Sequence, residues 1–508
     1  MAMFVLVVDT SLMNVSISSV VHDLNTTVSG VQSAIALEAL VSAAFILIGS
    51  KIGDLYGRKR AYILGLLGYA VGAIAMTLAQ GLTAIIIFWA LIGGLGASLL
   101  LPAMQSLVHG NFDGSERTRA YAQVGASAAI ATAVGPLLGG FITTFLSWRV
   151  GFLLEAVLIA IVLSGIGLIR DVPYTGPRQV DVLGSVLSVL GMGGIVLSIL
   201  VWQEGGERVL VLLAVGAACL AGLVFWLRSR QSQGKPTLLD PSLFESPYFR
   251  LGIFQQMLQQ IALGGLIIAL PIYLQMVLEY NALQAGLSIA PLSLSMFAMA
   301  LLAGRRTGKR RPSNIVLIGF ALLTIGALLL IPIVPRASSG LDLAWALIIA
   351  GCGLGLLVSQ LNNYTLSPVS EERASEAAGV NSAAGSFGLS FGLAFAGAIM
   401  LAALAIAFTN MAQSSTVLAP AEQQQVATAL EHDAEIMSNT QLQQQLAGQP
   451  AAVQEEVIRI NTAARHLALQ VALLVPLLAG VVGLFNGWRM RRLPDPQPSA
   501  AAEGMLFG

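Results

Sequence analysis

The sequence predicts an all-α polytopic membrane protein of fourteen spans, two related six-helix bundles with two extra spans between them. Three observations predict it. The 508 residues are 56% hydrophobic and only 10% charged, with a mean hydropathy of +0.80, and a soluble chain of that length needs far more charged surface. Apolar runs long enough to cross a bilayer follow one another with short polar breaks. A glycine-framed basic turn also occurs twice, as Gly53-Asp54-Leu55-Tyr56-Gly57-Arg58-Lys59-Arg60 and as Gly304-Arg305-Arg306-Thr307-Gly308-Lys309-Arg310-Arg311, each time between two apolar runs. A repeated hairpin implies a chain built of two related halves.

The first run, residues 2–21, is barely long enough to span, and its Asp9 comes after only eight residues. Span 1 is therefore expected to have lost a few residues before Met1. No basic residue precedes the run, so the secretory signal pattern is absent. Further runs near 31–50, 61–80, 83–104, 121–145 and 150–169 complete a first bundle over 1–170. Runs near 182–202 and 208–227 form a two-span hairpin, which with the polar, proline-containing loop after Arg228 makes up 171–250. Runs near 251–277, 284–303, 314–334, 343–363 and 377–408 give five spans of a second bundle over 251–408, and its last span lies near 466–488, within 466–492. Residues 493–508 read as a disordered, Pro- and Ala-rich cytoplasmic tail.

With this topology every Lys and Arg falls on one side except Arg149, Arg208, Arg336, Arg459 and Arg465. That asymmetry places both termini in the cytoplasm, because short basic loops stay inside. The glycines of the Gly53–Arg60 turn allow the tight reversal, and Lys51 and Arg58 offer Asp54 ion pairs. The zero net charge is sorted by loop rather than gathered in a patch, so nothing points to nucleic acid. Cys219 and Cys352 read as small core residues. Residues 409–465 break the short-loop pattern: they are polar, Gln-rich and extracytoplasmic, with helical patterns over Pro420–Ile436 and from Pro450 into span 14. Such a segment either caps the outer face as solvated helices or, being more acidic than basic, attracts cations or docks a partner.

Ionisable groups inside spans cost roughly 2.5–3.5 kcal/mol on insertion scales and are functional candidates by default. Three acids qualify: Asp9 in span 1, Glu38 in span 2 and Glu155 near the outer end of span 6. A carboxyl group withdrawn from water favours its protonated form and so can carry a proton near neutral pH. Glu38, mid-run with no base within a helical turn, is the sharpest candidate. For Glu155 an ion pair with Arg149 is the simpler expectation, and Asp9 could cap or pair instead. Amides also gather in spans, among them Asn14, Gln105, Gln255, Gln256, Gln259, Gln260, Gln275, Gln360 and Asn362. Gln256, Gln259 and Gln260 share a helical face by their spacing. Asn14, Gln105, Gln256, Gln259, Gln260 and Asn362, with Glu38, are the candidates to line an aqueous cavity, and interhelical hydrogen bonding is the alternative. Gly135-Pro136 with Gly139-Gly140 in span 5 combines a kink with close-packing residues. No phosphate-cradling loop, HExxH, paired cysteine or nucleophile elbow occurs, so neither an enzyme nor a cofactor or metal site is expected.

These residues together resemble the major facilitator superfamily, in particular its fourteen-span drug/proton antiporters. Gly53 to Arg60 resembles the family's loop between spans 2 and 3, which makes Asp54 and Arg58 a cytoplasmic gate pair, with Gly53 and Gly57 in the turn. Asp9-Thr10-Ser11-Leu12-Met13-Asn14 is similar to the span 1 pattern Asp-x-Thr-x-x-Asn, and Gly135, Pro136, Gly139 and Gly140 to the antiporter motif of span 5. Trp148-Arg149 and Asp181-Val182-Leu183-Gly184 match family positions too. There are departures. Ala90-Leu91-Ile92-Gly93-Gly94 lacks the arginine that the family carries in span 4, Ser50 and Leu55 depart from the loop motif, Glu38 replaces an aromatic and Glu155 an asparagine. Such a pattern suits a subgroup in which proton coupling has moved to carboxylates. The resemblance implies a monomeric exporter in a bacterial inner membrane that trades protons for amphipathic or cationic small molecules. Export of a lipid or an endogenous metabolite is the alternative within transport, and a non-transporting membrane sensor is the alternative outside it.

Overall fold

In a computed structural model of the chain, residues 1–112, 114–171, 181–203, 206, 208–235, 237–304, 311–366, 368–369, 371–419, 423–424, 426 and 439–494 are described. Among them thirteen helices are long and apolar enough to cross a membrane, and a bent pair brings the number to fourteen. The bent pair is span 1, formed by Ala2–Val15 and Ile17–Leu24. Span 2 is Val28–Tyr56, span 3 Arg58–Thr77, and span 5 Gly114–Phe145. Span 4 starts at Leu82–Ala84, runs through a π-helical stretch at Ile85–Gly93, and ends as Gly94–Asn111. Span 6 is Trp148–Ser164, and spans 7 and 8 are Val182–Gln203 and Val209–Ser232. Spans 9 to 13 are Pro247–Met276, Ala282–Gly304, Pro312–Ile333, Ala344–Leu366 and Glu371–Gln413. Ala451–Ala472 leads into span 14, Leu474–Arg492.

Local chemistry sets several of these boundaries. Thr27 caps span 2 by accepting from Gly30 N at 3.1 Å, and Ser147 and Ser246 do the same for spans 6 and 9. Pro247 stands in the first turn of span 9, where no amide hydrogen is needed. Gly57 ends span 2 and opens span 3 at φ 108°, a backbone that a side chain would strain.

Spans 1–6 pack around one another, as do spans 9–14, and the halves meet along spans 2 and 13 and along spans 5 and 10. Span 7 lies against span 2 of one half and span 13 of the other, with span 8 outside it. Asp181, 2% exposed, ties this hairpin down. It accepts from Gly184 N, Trp226 Nε1 and Leu238 N at 3.0, 2.9 and 3.2 Å. Glycines set the approach of the halves at span 5. A side chain on Gly139 would strike Leu12 of span 1, and one on Gly140 would strike Ala282 of span 10. The Gly135-Pro136-Gly139-Gly140 cluster is thus the point where spans 1, 5 and 10 come into backbone contact.

Of the second basic turn, residues 305–310 lie outside the described residues, as do most of Pro420–Ile436 and all of 495–508. The described parts of 409–465 are tied to the protein's own surface. Glu279, at the end of span 9, accepts from Thr440 N at 2.7 Å and Thr440 Oγ1 at 2.5 Å. Glu456 accepts from Ser415 Oγ at 2.6 Å and is paired with Arg459 at 2.8 Å.

Candidate functional site

Asp9 is 2% exposed and sits at the centre of a polar cluster inside the first half. Tyr69 Oη of span 3 donates to its Oδ2 at 2.5 Å. Trp89 Nε1 of span 4 divides its proton between Oδ1 at 3.0 Å and Oδ2 at 2.9 Å. Glu155 of span 6 adjoins Asp9, and its Oε1 has no hydrogen-bond partner among the described residues. Glu38 of span 2 lies close enough for its charge to act on Asp9, Tyr69 and Glu155. The three acids singled out in the sequence therefore share one cluster drawn from spans 1, 2 and 6. No Lys or Arg acts on any of the three carboxyls among the described residues.

The cluster's donors are what sequence reasoning missed. Trp89 is presented by the π-helical stretch Ile85–Gly93. A π-turn takes in an additional residue and rotates the face that follows it, a distortion that recurs at functional sites. Ala90, at the place of the family's span 4 arginine, is fully buried, and the indole beside it serves Asp9 instead. Tyr69 and Trp89 are polar-tipped aromatics in mid-span. When buried, such rings seek a hydrogen-bond partner, and that signal was present in the sequence.

The expected ion pair of Glu155 with Arg149 does not form. Arg149 is paired with Asp23 instead and also donates through Nη2 to Ala79 O at 2.6 Å. The reason is helical geometry: residues 149 and 155 are six apart, which puts their side chains on different faces. Arg149 therefore turns toward the helix start, and Glu155 turns inward to Asp9.

Glu38 is 7% exposed, and among the described residues its carboxyl accepts no hydrogen bond. Span 2 crosses span 4 at this point, since a side chain on Gly94 would come within 2.9 Å of Glu38 O. Within one turn of it, Ala36 O takes the hydroxyl of Ser390 from span 13 at 2.6 Å. Glu38 thus stands between the acid cluster and the seam of the two halves.

The amides divide by what they hold. Gln255 Nε2 donates to Gly483 O at 2.9 Å, a structural tie between spans 9 and 14. Gln275 bridges the halves, as described below. Asn362 is exposed and accepts from Asn381 at 2.7 Å, Asn14 donates back to Thr10 O at 2.7 Å, and Gln105 is half-buried. Gln256 and Gln260 lie beside Gly385 of span 13. The side-chain oxygens of Asn14, Gln259 and Gln260 are buried without a partner among the described residues. Buried acceptors of that kind mark places for water or a ligand. A cavity of about 590 Å³ opens elsewhere in the first half, lined by Met1, Tyr62, Met104, Asn111, Gln123 and Ser127 among others, and by none of the residues expected to line a cavity.

At the basic end, Arg58 Nη2 meets Asp54 Oδ1 at 3.1 Å. Lys59 fastens the same turn to the segment after span 6, with its amide on Asp171 Oδ1 at 2.9 Å and its Nζ on Ile169 O at 2.7 Å. The expected acid–arginine pair is present.

A family profile described as Major Facilitator Superfamily matches residues 1–393. The chain belongs to this superfamily. Among curated relatives, the probable actinorhodin transporter of Streptomyces coelicolor is 26% identical over 73% of this chain and 66% of its own length. The multidrug resistance protein Stp of Mycobacterium tuberculosis is 27% identical over 79% of this chain and 74% of its own. Among solved structures, a bacterial homologue of the human lysosomal transporter Spinster, in an inward-facing and unoccupied conformation, superposes with a TM-score of 0.58 at 13% identity, covering 98% of each chain. That likeness extends to the fold. As a major facilitator protein the chain is a multi-span membrane transporter of bacterial type, and its relatives are drug and antibiotic efflux transporters.

Proposed function

We propose that this chain is a proton-driven exporter of amphipathic or cationic small molecules, working by alternating access as a monomer in the bacterial inner membrane with both termini in the cytoplasm. The observation that carries this reading is the Asp9–Glu155 carboxyl pair with Glu38 beside it and no basic partner. Two adjoining carboxyls withdrawn from water without a base keep a proton between them, which makes the pair a proton store. Two bare carboxylates in such a site would carry a prohibitive desolvation cost. Tyr69 and Trp89 offset part of that cost for one negative charge on Asp9, which makes loss of a single proton tolerable.

Glu38, without a hydrogen bond of its own and next to the seam, supplies the negative charge that a cationic substrate meets. Protonation of the cluster on the outer side weakens the hold on the cation, and deprotonation on the inner side restores it. One proton moved through 100 mV is worth about 2.3 kcal/mol, enough to drive a modest gradient. The names of the relatives, a multidrug resistance protein and a probable actinorhodin transporter, support the substrate class. The Gly135-Pro136-Gly139-Gly140 contact and the Asp54–Arg58 pair serve as packing pivot and cytoplasmic gate.

The test is flux in proteoliposomes with an imposed pH gradient and ethidium as cargo. The proposal expects gradient-dependent uptake into inverted vesicles, lost in Asp9→Asn and reduced in Glu38→Gln. Wild-type, pH-dependent transport in both variants would remove the cluster from the mechanism.

A further inference from the structure

Span 1 bends by 65° between Ala2–Val15 and Ile17–Leu24. A bend of that size leaves nearby backbone groups without partners inside the helix. Ser16 finds its own. Its N–H reaches Leu12 O at 3.1 Å, and its hydroxyl meets both Leu12 O and Thr143 Oγ1 of span 5 at 2.6 Å. The carbonyl of Val15 and the N–H of Ser18 are completed by one side chain from the opposite half. Gln275 of span 9 donates through Nε2 to Val15 O at 3.1 Å and accepts from Ser18 N through Oε1 at 3.1 Å.

A carboxamide is the neutral side-chain group that offers a donor and an acceptor side by side, as the missing stretch of helix would. Gln275 is 5% exposed, so bulk water does not compete for either bond. A second crossing of the same type lies at this end of the molecule, opposite the Arg58 turn. There Thr144 Oγ1 of span 5 accepts from Leu283 N in the first turn of span 10 at 3.0 Å. At this far end, backbone left open in one half is thus closed by side chains of the other.

We infer that Gln275 is a positioning residue for the transport cycle: it seals the far end by completing the broken backbone of span 1, so that break and seal form and dissolve together. When the far ends part, Val15 O and Ser18 N lose Gln275. They must then take water or straighten span 1, which returns to Ser18 N its helical acceptor, Asn14 O. An element with two such arrangements is bistable, as a gate requires. Asp9 rides on the same helix, so a change at the break reaches the acid cluster. The inference rests on the transporter fold and is independent of which ion drives it.

Spin labels at His22→Cys and Leu341→Cys, both exposed at the far end, report its opening by electron–electron double resonance in detergent, with Cys219 and Cys352 replaced by alanine. Gln275→Leu removes both bonds and is expected to raise the ratio of long to short distances by roughly tenfold. Gln275→Met, close to glutamine in volume, also removes both bonds and is expected to move the ratio in the same direction. Gln255→Leu, which unties span 9 from span 14 within one half, leaves it unchanged. Parent-like distances in folded, monodisperse Gln275→Leu and Gln275→Met would overturn the inference, and Gln275→Met decides alone if Gln275→Leu does not fold. The distances are read without substrate or gradient, so a failed exporter assay leaves this result standing, and the reverse holds too.

Discussion

The two halves share a helical plan but place different chemistry inside it. The first buries carboxyls: Asp9, Glu38 and Glu155, gathered around Tyr69 and Trp89. The second buries amides: Gln255, Gln259, Gln275 and Asn381, some with carbonyl oxygens that no neighbour among the described residues satisfies. A carboxyl changes charge with pH, whereas an amide stays neutral and offers the same donor and acceptor throughout. On this difference the proposed mechanism rests a division of labour, in which the half holding spans 1–6 responds to protons and the half holding spans 9–14 supplies fixed polar contacts.

That division can be broken in graded steps. The largest effect is expected of Asp9→Asn. Losing a buried charge site worth about 3 kcal/mol corresponds to roughly a hundredfold fall in gradient-driven flux, while substrate binding in detergent persists. Glu38→Gln is expected to weaken binding of a cationic dye by roughly tenfold and to flatten its pH dependence, with a neutral dye little affected. Isothermal titration at several pH values separates the two. Trp89→Phe removes a charge-assisted hydrogen bond to Asp9 but keeps the ring, so maximal flux should fall roughly fivefold with KM held. A changed KM and an unchanged maximal rate would mean that the indole contacts substrate instead. The smallest change, about two- to threefold in KM, is expected of Gln259→Leu, whose amide contributes one hydrogen bond. A shifted pH profile in that variant would blur the contrast between the halves.

Much of this was legible in the sequence, for identifiable reasons. The spans were, because a bilayer demands long apolar runs and sorts charge by side. The three acids were, because a carboxylate in a span is conspicuous whatever it touches. The Asp54–Arg58 pair was, because its members stand only four residues apart across the glycine turn. What stayed hidden depended on how helices face one another. Glu155 looked like a partner for Arg149 by proximity along the chain, yet helical phase turned it toward Asp9. Trp89 was visible as a mid-span ring with a polar tip, but its partner was not, because the π-helical stretch that aims it leaves no simple mark in composition. The 65° break after Val15 was equally invisible, since no proline or glycine marks it and its stabilising amide is far away in the sequence. Of the Gln-rich segment, the helix from Pro450 into span 14 was readable, but the docking through Glu279 and Thr440 was not, because one exposed acid at a helix end resembles any other.

Proton counting on substrate binding reaches the proposed division most directly. Purified protein in weakly buffered detergent would be titrated with ethidium while a pH indicator records proton release. The proposed mechanism predicts that the wild type sheds protons as the cation binds and that Asp9→Asn/Glu38→Gln/Glu155→Gln binds more weakly and sheds none. Equal release from the triple variant would contradict it, placing the exchangeable proton somewhere other than the carboxyl cluster of the first half.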